Sequence, residues 1–455
     1  MEDYAAEGKS LARLDGKVIF IEGVVPGDVV DVQLMKSKKD WAEGRPLQFH
    51  SYSQDRVTPF CPHFGVCGGC QWQMLPYDKQ LGYKNKQVEE VLKRIGKVPL
   101  PEMHPILGAA ETKYYRNKVE YTFGNKRYLL KEELGDETIN GDQNVAGFHA
   151  KGFFDKVVDI STCYLQAEPT NEIRLFIKAL AKQHNWTFYD IRNHVGFLRT
   201  MQVRLCQTGE LMINVMVGEN DKAKIELLMS EVLKQFPSIT TLLYTVNLKW
   251  NDSLFDLEPV TYHGKGYVVE KLEHFQFKIG PKSFFQTNTQ QGERLYQVTR
   301  EFAELTGNEI VYDLYCGTGS IGIFVSDKAK KIIGVEMIAA AIDDAKENAA
   351  LNNLSSAEFY AGDVIDICND EFFAAHGRPD VIITDPPRAG MHEKLTRKIL
   401  EIAAPTVVYV SCNPATQARD LNLLDEKYVV TKVQPVDMFP HTHHIENVVQ
   451  LKLRG

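Results

Sequence analysis

The chain has 455 residues, a formal net charge of −8 and 44% apolar residues, with an isoelectric point near 5.9. That length exceeds what one hydrophobic core organises, so two or three domains are expected. No run approaches the roughly 18 apolar residues of a membrane span, and the opening MEDYAAEGKSLARLDGK lacks a signal-peptide stretch, which excludes a membrane partner and points to the cytoplasm. The acidic balance argues against indiscriminate nucleic-acid binding, yet the charge is uneven. Residues 1–120 hold 17 Lys and Arg against 16 Asp and Glu, and the remaining 335 hold 35 against 44. A polyanion would meet the front of the chain more comfortably.

From Leu11 to Phe49, short apolar runs are separated by turn residues. Asp15-Gly16 suits a tight hairpin and Pro26-Gly27 a second turn, together a small β-barrel over residues 1–57. Lys36, Lys38, Lys39 and Trp41 end its third strand, a basic and aromatic mix that small barrels use to hold single-stranded nucleic acid. A solvated strand end accounts for the charges alone. Residues 58–275 read as a mixed α+β domain, with a helix over 77–95 and a polar excursion, KRYLLKEELGDETINGDQN, between strands. The run CPHFGVCGGCQWQ spaces Cys61, Cys67 and Cys70, and Cys163 in DISTCYLQ supplies a fourth thiol. Either structural zinc or an iron-sulfur cluster satisfies that spacing.

From residue 276 the pattern changes. The apolar strands EIVYDLY, KIIGVEM, DVIITD and TVVYVS alternate with helical stretches, as in an α/β, Rossmann-like doubly wound sheet, where ligands bind at the carboxyl ends of strands. VYDLYCGTGSIGIF contains G-x-G-x-x-G through Gly317, Gly319 and Gly322. Alone it fits a nicotinamide dinucleotide, with Glu336 as the ribose-binding acid one strand on. Two details favour S-adenosylmethionine. Asp313, inside the strand end, would repel a pyrophosphate and attract ammonium and sulfonium charge. VIITDPPRAG puts Asp385 beside two prolines, a stiff turn poor in donors.

VVYVSCNPATQARD places Cys412 where an apolar strand stops, as a packed thiol, a metal ligand or a nucleophile. The C5 carbon of uracil is too weak a nucleophile to attack a methyl sulfonium until a thiolate adds at C6. Cys412 fits that role, and Glu446 in FPHTHHIENVV fits the base that then removes the C5 proton. His441, His443 and His444 have ligand-like density, but no thiol or carboxylate set at zinc spacing accompanies them.

In this order the motifs resemble the family of S-adenosylmethionine-dependent RNA uracil-C5 methyltransferases, which make 5-methyluridine in 23S ribosomal RNA and in the tRNA T-loop. The resemblance covers nearly the whole chain. Its front resembles the TRAM domain, found on the ribosomal RNA members and absent from the bacterial tRNA enzyme. The resemblance implies a 4Fe-4S cluster on Cys61, Cys67, Cys70 and Cys163, and cofactor contacts at Gln286 in SFFQTN, Tyr315, Glu336 and Asp385. It likewise implies Cys412 as nucleophile and Glu446 as base. The expected partner is RNA, 23S rRNA before tRNA and not DNA, bound by a monomer.

Cytosine-C5 enzymes resemble one another in a second cysteine beside Asp-Pro-Pro, where this chain has Arg388, which favours uracil. Arg388 suits an RNA phosphate, the base, or a structural ion pair. A noncatalytic RNA-binding scaffold would have no need of Cys412 paired with Glu446. A folded RNA hides C5 and C6, so the uridine must flip out, and this requires further RNA-binding surface. KYYRNKVEYTF, residues 113–123, interleaves Lys113, Arg116 and Lys118 with Tyr114, Tyr115, Tyr121 and Phe123. It suits backbone contact with base stacking, or an amphipathic strand with its basic residues outward.

Overall fold

A computed structural model describes residues 1–135 and 142–455, so part of the polar excursion at 126–144 lies outside the described residues. The front is a five-stranded sheet of β1 (Asp3–Tyr4), β2 (Ser10–Leu14), β3 (Lys17–Ile21), β4 (Val29–Ser37) and β5 (Trp41–Ser51), in the order β1-β2-β3-β5-β4. Asp15 and Gly16 both have positive φ, 49° and 76°, which matches the twist of a two-residue hairpin. The two edges are tied where the Gly27 N–H donates to Met1 O at 2.9 Å and the amino terminus donates to Asp28 O at 2.7 Å. Ile19, Ile21, Val24 and Ala42 make a very small core. Docking therefore matters: Tyr4 packs on Trp72 with ring centroids 4.9 Å apart. Lys36 lies over Trp41, while Lys38 and Lys39 are exposed.

The second sheet has seven strands: β6 (Lys118–Gly124), β7 (Val145–His149), β8 (Val157–Asp159), β9 (Leu198–Leu205), β10 (Leu211–Val217), β11 (Thr241–Val246) and β12 (Val260–Gly264). Helices Thr170–Gln183 and Lys222–Gln235 contribute Ile173, Ile177, Leu228 and Val232 to its core. Strand alternation sends Val119, Tyr121 and Phe123 inward. Tyr115 is buried too, which leaves Tyr114, 50% exposed, as the one of these four rings open to solvent.

The third unit opens with the hairpin β13 (Val268–Leu272) and β14 (Phe275–Ile279), whose Val268, Phe275 and Phe277 share a core with Val311, Ile332 and Ile383. Its sheet contains β15 (Ile310–Leu314), β16 (Lys331–Glu336), β17 (Ala357–Ala361), β18 (Val381–Thr384), β19 (Thr406–Ser411), β20 (Tyr428–Val436) and β21 (Glu446–Leu453), in the order β17-β16-β15-β18-β19-β21-β20. The first five are parallel, and β15, β16, β18 and β19 are buried on both faces, which is why those four read as unbroken apolar runs, whereas the edge strand β17 does not. β21 runs antiparallel to both β19 and β20. It therefore begins at the edge where the parallel strands end, which brings Glu446 to the ligand-binding side. Helix Tyr77–Val91 also packs here, with Val88, Leu92 and Val98 in one core with Tyr312 and Val407. Among the described residues no helix is long and apolar enough to cross a membrane.

Candidate active site

Strand order reverses beside β15, and there three carboxylates stand on adjacent strand ends: Glu336 on β16, Asp313 on β15 and Asp385 just past β18. Asp313 is buried and accepts the Gly322 N–H at 2.8 Å through Oδ2, while its Oδ1 has no hydrogen-bond partner among the described residues. Burial pushes its carboxyl up to about 7, helped by the charges of Asp385 and Glu336 and opposed by that hydrogen bond. Asp385 is likewise pushed up to about 7 by burial. Glu336 accepts from the N–H groups of Gly317 and Ile338, at 3.3 and 3.0 Å.

The three glycines do different work. A Cβ on Gly322 would stand 2.9 Å from Ile332 Cγ2 and 3.0 Å from Asp313 Oδ2, and one on Gly319 would meet the Phe359 ring at 2.9 Å, so both permit close packing. A Cβ on Gly317 would meet nothing within 4 Å, and its φ is 53°. Open space at Gly317, an unpartnered buried carboxylate oxygen and a carboxylate-rich rim suit a ligand carrying positive charge and disfavour a pyrophosphate. Tyr315 follows β15 with φ of 61°, and Gln286 is buried with its backbone carbonyl held by Asn117 Nδ2 at 2.9 Å, two residues after Phe284, whose carbonyl accepts from Thr318 Oγ1 in the glycine turn at 3.4 Å.

Across the sheet, Ser411 pairs with Asn447, and one further step in that antiparallel register sets Cys412 opposite Glu446. Cys412 lines a cleft of about 620 Å³ together with Arg388, His443, His444, Lys9 and Lys151. Burial, then the charges of Glu446 and Asp385, push its thiol up to about 12, and Arg388 opposes them. Glu446 is held well above the usual carboxylate range by burial and then by Asp385, again against Arg388. The structure thus brings together a thiol, Cys412, two carboxyls, Glu446 and Asp385, and the Arg388 guanidinium.

Asn413 escaped the sequence reading, although an Asn followed by Pro is a recognisable helix start. Its side chain caps helix Pro414–Leu424, accepting from Ala415 N at 3.1 Å, and donates to Arg388 O at 3.1 Å. Arg388 also donates to His444 Nδ1 at 3.2 Å. His441 and His444 are both pushed down to about 4, chiefly by burial, and so are neutral at physiological pH. His441 is a fastener: its carbonyl accepts the N–H groups of Gln71 and Trp72 at 2.8 and 3.0 Å.

Cys61, Cys67, Cys70 and Cys163 are unbridged and line one cavity of about 360 Å³. Burial raises all four thiols, Cys67 to about 12 and Cys70 to about 11. Among the described residues no three Cys, His, Asp or Glu side chains converge tightly enough to hold a metal ion. The thiols surround a space rather than a point.

Residues 262–454 match the family described as tRNA (Uracil-5-)-methyltransferase, and residues 2–47 match the TRAM domain. An uncharacterized RNA methyltransferase of Bacteroides thetaiotaomicron is 52% identical over 453 residues, 99% of this chain and 100% of the relative. Another, of Chlorobaculum tepidum, is 38% identical over 453 residues, covering 98% of this chain and 94% of the relative. A solved Pyrococcus abyssi tRNA (uracil-54, C5)-methyltransferase in complex with S-adenosyl-L-homocysteine is 27% identical with a TM-score of 0.75, covering 99% of this chain and 98% of the other. The chain belongs to the family of S-adenosylmethionine-dependent RNA uracil-C5 methyltransferases.

Proposed function

We propose that this enzyme methylates C5 of a uridine in 23S ribosomal RNA, with Cys412 as nucleophile and Glu446 as base. The observation that carries the chemistry is the pairing of Cys412 with Glu446 at the ends of β19 and β21, beside a cleft large enough for a base. The Cys412 thiolate forms an Sγ–C6 bond, and the electron pair of the C5=C6 bond moves toward C5 and O4. S-adenosylmethionine, when bound, supplies a methyl group as a sulfonium electrophile. Glu446 then takes the C5 proton, the C5=C6 double bond re-forms, and the Sγ–C6 bond breaks. Arg388, facing both groups, favours the ionised form of each.

Asp313, Glu336 and Asp385 suit the cationic cofactor, with Glu336 on the ribose hydroxyls, Gln286 toward the methionine end and Tyr315 shaping the pocket. Gly317 and Gly319 complete the contact turn. The four thiols line one cavity, and the family resemblance of their spacing supports a 4Fe-4S cluster there.

The TRAM-like front supports a ribosomal target. A second reading, a tRNA uridine, is supported by the Pyrococcus abyssi enzyme, whose printed name is that of a tRNA methyltransferase and whose structure matches this chain from end to end. Deleting the gene, mapping 5-methyluridine in 23S rRNA and tRNA, and restoring with wild type or Cys412→Ala tests both. Loss of a 23S site that only the wild type returns is expected. Loss confined to tRNA would establish the second reading, and full restoration by Cys412→Ala would refute the covalent route.

A further inference from the structure

The loop 437–445 joins β20 to β21, ends at Glu446, and carries His443 and His444 on the wall of the cleft. It is held chiefly from outside the sheet. Tyr77, Gln80 and Lys84 lie three and four residues apart on helix Tyr77–Val91 and so share one face. Tyr77 OH donates to Asp437 Oδ2 at 2.8 Å, and Lys84 Nζ donates to Asp437 Oδ1 at 2.6 Å and to Phe439 O at 3.3 Å. Gln80 Oε1 accepts the His441 N–H at 2.9 Å, while its Nε2 stands 3.1 Å from His441 Nδ1. Gln80, Lys84 and Asp437 are completely buried.

A buried ion pair is a poor source of stability, because desolvation of both charges offsets their attraction, whereas in some proteins such a pair fixes one conformation over others. The sequence separation is more than 350 residues for both Lys84–Asp437 and Gln80–His441, so no local preference explains these contacts. We infer that Tyr77, Gln80 and Lys84 are positioning residues for Glu446, clamping the loop that sets the base against the target uridine. Their effect falls on proton removal, and they leave the attack of Cys412 alone. This assignment rests on the roles given above to Cys412 and Glu446.

The two steps can be read separately. RNA transcribed with 5-fluorouridine offers no C5 proton, so it traps the methylated Cys412 adduct whether or not the base is in place. Ordinary RNA releases product only after proton removal. Transcripts of 23S rRNA segments and of tRNA, in both forms, are incubated with wild type, Glu446→Gln and the paired variant Lys84→Met/Asp437→Asn, which removes both buried charges together. The paired variant is expected to trap 5-fluorouridine RNA at the wild-type rate, yet to release 5-methyluridine about tenfold to a hundredfold more slowly, with adduct accumulating as it does for Glu446→Gln. Should it fail to fold, Tyr77→Phe, which deletes a single hydroxyl, is read by the same split. Equal slowing of trapping and release, or no slowing of either, overturns the inference. Failure of the wild type to trap at all overturns the proposed chemistry and this assignment with it.

Discussion

The cavity around Cys61, Cys67, Cys70 and Cys163 and the cleft before Cys412 both hold thiols in their neutral form, but by different means. In the first, burial dominates, and mutual repulsion among the four sulfurs adds to it at Cys67. Ionising the whole set requires a group that supplies several positive charges at once and stays in place. In the second, two carboxylates, Glu446 and Asp385, add to burial, and the Arg388 guanidinium works against them. In the proposed route ionisation there is needed only for part of a turnover, and a cationic cofactor beside Asp385 would favour it. The same residue type is thereby suited to permanent ligation in one place and to reversible attack in the other.

Substitutions that treat the two sets alike should produce unlike results. Cys412→Ala should lower 5-methyluridine formation on the order of 10⁴-fold or more while leaving the melting temperature unchanged, measured by methyl incorporation and calorimetry. Cys163→Ser should act in the opposite sense. Anaerobically purified wild type should be brown with roughly four irons per chain, and the variant should lose that iron and melt roughly 5–10 °C lower. A colourless protein holding zinc would contradict the cluster.

Arg388→Met should lower the rate at neutral pH about tenfold. In the proposed route Cys412 and Glu446 must both be ionised to act, and burial and Asp385 raise both, so the rate should keep climbing with pH toward the thiol's raised value of about 12. Removing the Arg388 charge should move that rise to higher pH, as a pH-rate profile would show. Gly322→Ala should cost about 1–3 kcal/mol of stability, because its Cβ has to displace Ile332 or Asp313, and should weaken cofactor binding a few-fold. Calorimetric titration with S-adenosylhomocysteine measures the second effect.

The catalytic end was readable because parallel strands buried on both faces are continuous apolar text, and Asp313, Glu336, Asp385 and Cys412 each interrupt or end such a run. Glu446 was found as a residue, but its placement depends on β21 running antiparallel between β19 and β20, which no local pattern records. Of the two readings of residues 113–123, the burial of Tyr115, Tyr121 and Phe123 favours the amphipathic strand. The alternation of Val119, Tyr121 and Phe123 along one strand carried the signal that they face a core. Helix Tyr77–Val91 was visible as a helix, whereas its docking against the catalytic sheet and the loop 437–445 arises from contacts hundreds of residues apart. Its polar face at Tyr77, Gln80 and Lys84, in line with Val88, was the available hint.

Trapping the enzyme on 5-fluorouridine RNA with S-adenosylmethionine, digesting both polymers and locating the modified peptide by mass spectrometry tests the central chemistry most directly. A single adduct is expected, with the sulfur of Cys412 bonded to C6 of a 5-methylated fluorouracil. An adduct on any other residue, or methyl transfer without one, would contradict it.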